Sequence, residues 1–221
     1  MARTGDLRPG WVRARDAGQQ LNLQQRLAEK TAGVLRVPNL MTIAGIGLTA
    51  LAAHKASHNK PVAAVISAGA SFAMDMEGTV ARRFGVDDPK WGARTDQAAD
   101  ITKAAIVAST MLAHKTMPIS AAALTYGPKA AGFAAGIVTE IDTRQELPSS
   151  KVGKVAEVCR DVMPLGYLVA AAGKKFEKPW LEKTGRTLGA AATTAAFVTG
   201  TIAAVNYARE AWRAHKATSG Q

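Results

Sequence analysis

Two stretches of the chain carry no charge for longer than a surface helix would allow: residues 37–53, and residues 188–208, about twenty-one positions. At about 1.5 Å per residue the longer one can cross a hydrocarbon core of roughly 30 Å. Four further apolar stretches lie between them, at residues 61–81, 98–113, 118–141 and 155–173, each interrupted by one or more ionisable side chains. The pattern predicts an all-α, integral membrane bundle of about six transmembrane helices. A mean hydropathy near zero is low for such a protein and keeps a soluble, alanine-rich helical bundle open as the alternative.

Ahead of the first apolar stretch, LNLQQRLAEKTAGVLR sets Leu23, Leu27, Val34 and Leu35 on roughly one helical face, with Arg26 and Lys30 nearby. This fits an amphipathic helix lying on an anionic membrane surface, and equally a helix packed on a soluble core. Residues 1–20 show no period and read as a mobile basic arm. The expected organisation is an arm and juxtamembrane helix over 1–35, a membrane domain over 36–208 and a basic tail over 209–221. The first thirty residues hold no apolar run, so no cleavable secretory signal is expected.

Charge sharpens this picture. A formal net charge of +11 calls for an anionic partner: an acidic lipid surface, a phosphorylated substrate or nucleic acid. Nucleic acid is disfavoured because Lys and Arg fall between the apolar stretches and form no single stripe. With the N-terminus inside, seventeen Lys and Arg face the cytoplasm against eight outside, five of those eight in the last outer loop, GKKFEKPWLEKTGRT. Trp91, Trp180 and Trp212 stand near predicted span ends, where an indole favours the interface. The single Cys159 excludes an internal disulfide and reads as a small apolar residue.

The chemistry concentrates in residues 71–100, SFAMDMEGTVARRFGVDDPKWGARTDQAAD. Asp96 and Asp100, four apart, share one helical face. Glu77 precedes a loop short enough to bring its helix back beside theirs. Converging carboxylates need a cation between them, and hard divalent ions such as Mg2+ or Mn2+ suit an all-oxygen site. Gly78 opens the backbone to a ligand, and Arg82 can grip a phosphate in two-pronged fashion.

These residues resemble the signature of the CDP-alcohol phosphatidyltransferases, D-x2-D-G-x2-A-R-x8-G-x3-D-x3-D. The chain has EGTVAR at residues 77–82 and GARTDQAAD at residues 92–100, matching at Gly78, Ala81, Arg82, Gly92, Asp96 and Asp100. VPNLMTIAGIG at 37–47 looks like the start of that family's first helix. LPSSKVGKV at 147–155 is similar to a segment of its phosphatidylglycerophosphate synthase branch. The first half departs from the pattern: Glu77 replaces the second aspartate, and Met74, a poor ligand for a hard cation, stands where the first belongs. Asp75, next door, keeps the family's spacing of 17, 21 and 25 residues to Gly92, Asp96 and Asp100. On a regular helix Asp75 and Glu77 point about 200° apart, so both can be ligands only where the helix is distorted.

The resemblance implies a multi-pass enzyme of the cell membrane, its site facing the cytoplasm, that moves a phosphatidyl group from CDP-diacylglycerol to an alcohol, glycerol 3-phosphate being the expected acceptor. It implies that Gly78, Ala81 and Arg82 hold the cytidine diphosphate, that Asp75, Glu77, Asp96 and Asp100 bind two Mg2+ or Mn2+ ions, and that Asp100 is the base. Homodimers are usual in the family. A phosphorylated acceptor needs further cations, for which Lys129, Lys154 and Arg160 are candidates, interfacial snorkelling being their alternative role. The altered first half keeps a second reading open, a non-catalytic homologue with the fold but an incomplete metal site.

Overall fold

The computed structural model describes residues 8–34, 36–75, 77–86, 89–143 and 150–218. Among these there are nine helices and no strand: α1 (Gly10–Asp16), α2 (Leu23–Lys30), α3 (Val37–Ser57), α4 (Pro61–Met74), α5 (Glu77–Phe84), α6 (Pro89–Ala113), α7 (Ile119–Thr143), α8 (Lys151–Lys175) and α9 (Pro179–Thr218). Proline opens α4, α6 and α9, where its missing N–H costs nothing and its fixed φ favours helix entry. Each of the six apolar stretches is helical over most of its described residues, and α3 and residues 179–213 of α9 are long and apolar enough to cross a membrane. The stretch at 61–81 is two helices, not one: the chain leaves α4 at Met74 and re-enters helix at Glu77, with the Asp75 N–H drawn onto the Phe72 carbonyl at 3.1 Å.

The chain forms two compact units. The first comprises Met1–Lys55 and Ile66–Val107. Here the expected arm holds a helix: α1 buries Trp11 against Ala28 and Val86, a contact between distant positions that leaves no local period to read. The amphipathic helix is shorter than its pattern. It starts on an Asn22/Gln25 capping box and ends at Lys30, because Ala32 and Gly33 take left-handed φ of 48° and 82°. Leu23 and Leu27 are exposed on α2 and do not pack on a core within the chain. Val34 lies beyond the helix, exposed in the following bend, and Leu35 falls outside the described residues. Deeper in this unit, the Ser71 hydroxyl of α4 donates to the Gly45 carbonyl of α3 at 2.8 Å, and Thr49 Oγ1 lies 2.8 Å from Ser71 Oγ.

The second unit comprises Ala56–Val65 and Ala108–Gln221. α8 and α9 form an antiparallel hairpin turned by Phe176, Glu177 and Lys178, packed through small residues in register: Gly173 against Glu182, Ala170 against Gly185, Gly166 against Gly189. A Cβ on Gly166 would stand 2.4 Å from the Gly189 nitrogen, so the backbones themselves are in contact. α7 joins this pair through Pro128 against Gly200 and Gly132 against Ala204. Ser150 caps α8 by accepting from the Gly153 N–H at 3.0 Å, while its own N–H donates to the Tyr207 hydroxyl at 3.2 Å.

Candidate functional site

The acidic segment lies in the first unit. Four turns of α4 end at Met74, one helical turn past the Ser71 anchor, and Asp75 sits in the break before α5. An intact helix would have turned Asp75 and Glu77 to opposite sides. Asp75 lies outside α4 and Glu77 opens α5, so the spacing of one regular helix does not apply to the two.

Asp75 is not left as a bare acid. Its Oδ1 receives the ammonium of Lys103, which lies on α6 three residues beyond Asp100. Gly45 makes room for that side chain: a Cβ there would stand 3.1 Å from Lys103 Nζ and 3.4 Å from Met74 Cβ. The Lys103 side chain is 13% exposed and that of Asp75 30%, so the cation is mostly covered while Asp75 stays open to solvent, and each charge compensates the other. Lys103 was absent from the residues read off the sequence. Its signal was its position, seven after Asp96 and three after Asp100, as the cation interrupting an apolar stretch.

Asp96 and Asp100 fall one turn apart on α6, and Asp100 is half-buried. Glu77, Gly78, Ala81 and Arg82 all belong to the two turns of α5, with Ala81 buried. The side chains of Glu77, Arg82 and Asp96 lie outside what is described. Among the described residues no three acidic, histidine or cysteine side chains converge as a metal cage. The donor chemistry of Asp75, Glu77, Asp96 and Asp100 nevertheless fits Mg2+ or Mn2+, being wholly carboxylate.

The cations proposed for an acceptor phosphate belong to the second unit. Arg160 is buried in α8, Lys129 is half-buried on α7 just after Pro128, and Lys154 is exposed in the first turn of α8. Of the segment that resembles the phosphatidylglycerophosphate synthase branch, residues 150–155 are described and form the cap and first turn of α8.

Comparison with known families agrees with the motif. Residues 35–212 match the model of the CDP-alcohol phosphatidyltransferase family, and the chain belongs to that family. No curated protein and no solved structure matches the chain. Membership implies transferase chemistry of phospholipid biosynthesis, head-group transfer from a CDP-alcohol in a membrane-integral protein that uses divalent metal.

Proposed function

We propose that the protein is a phosphatidyltransferase of the phosphatidylglycerophosphate synthase branch, acting on CDP-diacylglycerol and glycerol 3-phosphate. Six spans, α3, α4 with α5, α6, α7, α8 and α9, hold it in the cell membrane with the site on the cytoplasmic side. The domain boundaries are those of the sequence: a basic segment to residue 35, the membrane domain to 208, a basic tail beyond.

The observation that carries the reading is the break between Met74 and Glu77, which lets the irregular first half of the signature supply two acids to one site. Arg82 grips the donor diphosphate, with Gly78 and Ala81 leaving the backbone open to the cytidine side. Asp100 takes the proton of the acceptor hydroxyl; its oxygen bonds to the β-phosphorus, the bond to the bridging oxygen breaks, and CMP leaves with the electron pair. Asp75, Glu77, Asp96 and Asp100 would hold Mg2+ or Mn2+, which supplies charge neutralisation at the diphosphate when bound. Lys129, Lys154 and Arg160 hold the acceptor phosphate, and the working form is a homodimer.

The non-catalytic reading also has an observation in its favour: the carboxylate of Asp75 is already neutralised by Lys103. One assay separates the two. Purified protein in detergent, given CDP-diacylglycerol and Mn2+, should release CMP with glycerol 3-phosphate and not with glycerol or inositol. Asp96→Asn and Asp100→Asn should each abolish release, and chelation with EDTA should stop it reversibly. Folded protein that releases no CMP with any acceptor leaves the non-catalytic reading standing.

A further inference from the structure

Three side chains from the N-terminal segment end on three successive carbonyls at the C-terminal end of α5. Asn22 Nδ2 donates to the Phe84 carbonyl at 3.1 Å, Gln25 Nε2 to that of Gly85 at 3.3 Å and Arg36 Nη1 to that of Val86 at 3.2 Å. These positions lie about fifty to sixty residues away in sequence. α5 itself closes with Gly85 at a left-handed φ of 63° and the Val86 N–H returning to the Ala81 carbonyl at 3.0 Å, a Schellman end that presents the next carbonyls outward.

Arg36 is the hub of this arrangement. It is 4% exposed, and its guanidinium also donates to the Gly33 carbonyl at 2.7 Å and to Asn39 Oδ1 at 3.1 Å while lying 5.6 Å from the Trp11 ring centroid. A planar cation with fixed donor directions thus ties the end of α2, the start of α3 and the end of α5 together. Its charge lies at the negative end of the α5 dipole. Gly33 is required at its place: its φ is left-handed, and a Cβ would stand 3.0 Å from the Trp11 ring.

α5 is only eight residues long, so moving its last turn moves Ala81 and Arg82 with it. We propose that Arg36, Asn22 and Gln25 are positioning residues of the nucleotide site, clamping the C-terminal end of α5 so that Ala81 and Arg82 meet the donor diphosphate. The proposal rests on the reading of α5 as the helix that holds cytidine diphosphate. Asn22 and Gln25 precede the span matched by the family, residues 35–212, so the clamp draws on a segment outside the shared domain.

The test is CDP affinity of the full chain in detergent, by calorimetry with Mn2+ present, together with KM for donor and acceptor. The double variant Asn22→Ala/Gln25→Ala and the variant Arg36→Gln should weaken CDP binding by roughly tenfold to a hundredfold, raising donor KM and leaving acceptor KM unchanged. Arg15→Ala, which removes an ion pair to Glu29 in the same segment at 3.2 Å, should leave CDP affinity at the wild-type value. A purely structural role would lower melting temperature and folded fraction while the folded protein kept its CDP affinity, and that result overturns the proposal. Should Arg36→Gln not fold, the double variant decides alone. Arg82→Ala distinguishes the two layers: loss of CDP binding there with intact binding in the clamp variants defeats the clamp only. Intact CDP binding in Arg82→Ala defeats the reading of α5 and the clamp with it.

Discussion

Lys103 and Asp75 pose the sharpest question about individual side chains. A mostly covered ammonium needs a partner anion, and Asp75 supplies one to Lys103 from within the chain. A divalent ion using Asp75 competes with that ammonium for the same oxygens. Lys103→Met, which keeps length and removes charge, should therefore tighten Mn2+ binding by roughly tenfold, and Asp75→Asn should weaken it by at least as much. Titration of Mn2+ by electron paramagnetic resonance on the purified protein measures both. Unchanged Mn2+ affinity in the two variants would mean that Asp75 belongs to a structural ion pair and that the metal ligands come from Glu77, Asp96 and Asp100.

At the scale of elements, the helices differ in how much freedom their packing leaves. Gly166 faces Gly189 with no room for a side chain, whereas no described atom lies within 4 Å of where a Cβ of Gly136 on α7 would stand. Gly166→Leu should then force α8 and α9 apart and cost about 1–3 kcal/mol or more. Gly136→Ala should be neutral or gain up to about 1 kcal/mol from helix propensity. Melting of the two variants in detergent checks the contrast, and equal melting temperatures would show that the hairpin is not packed backbone to backbone. The apolar stretches were legible because runs such as residues 188–208 need no partner to declare themselves. α1 was not, since Trp11 is held by Ala28, Val86 and Arg36, contacts between positions up to about 75 apart that no local period records. The candidate site was legible to the extent that its acids recur at helical spacing at Asp96 and Asp100. The cation on Asp75 escaped, because it depends on α6 returning beside α4 and on the space that Gly45 leaves.

For the whole molecule, the disposition of charge about the membrane is the property to test. α9 runs for forty residues, about 60 Å at the usual helical rise, against a hydrocarbon core of roughly 30 Å. Both ends must therefore leave the apolar layer. Its last turns carry Arg209, Arg213 and Lys216, with the Lys216 ammonium 5.3 Å from the ring centroid of Trp212, a pairing of cation and indole suited to the headgroup region. Its first turns carry Lys183 and Arg186, and the turn before them Lys174, Lys175 and Lys178, so α9 is basic at both ends and cannot orient itself. Orientation must come from the rest of the chain, where Lys and Arg number seven before α3 and four around the α5 to α6 connection. On the proposed six-span arrangement the positive-inside rule keeps those segments in the cytoplasm, and an odd number of crossings later the turn between α8 and α9 is expected outside. In a Cys159→Ser background, Glu177→Cys should react with a membrane-impermeant maleimide added to intact cells. Asp88→Cys should react only after the cells are opened. Reaction at position 88 and none at 177 would mean the reverse orientation, with the nucleotide site facing away from the cytoplasm, and a cytoplasmic supply of CDP-diacylglycerol head groups would then be out of reach. Reaction at both positions in intact cells would mean an odd number of crossings does not separate them, and the six-span arrangement would fall.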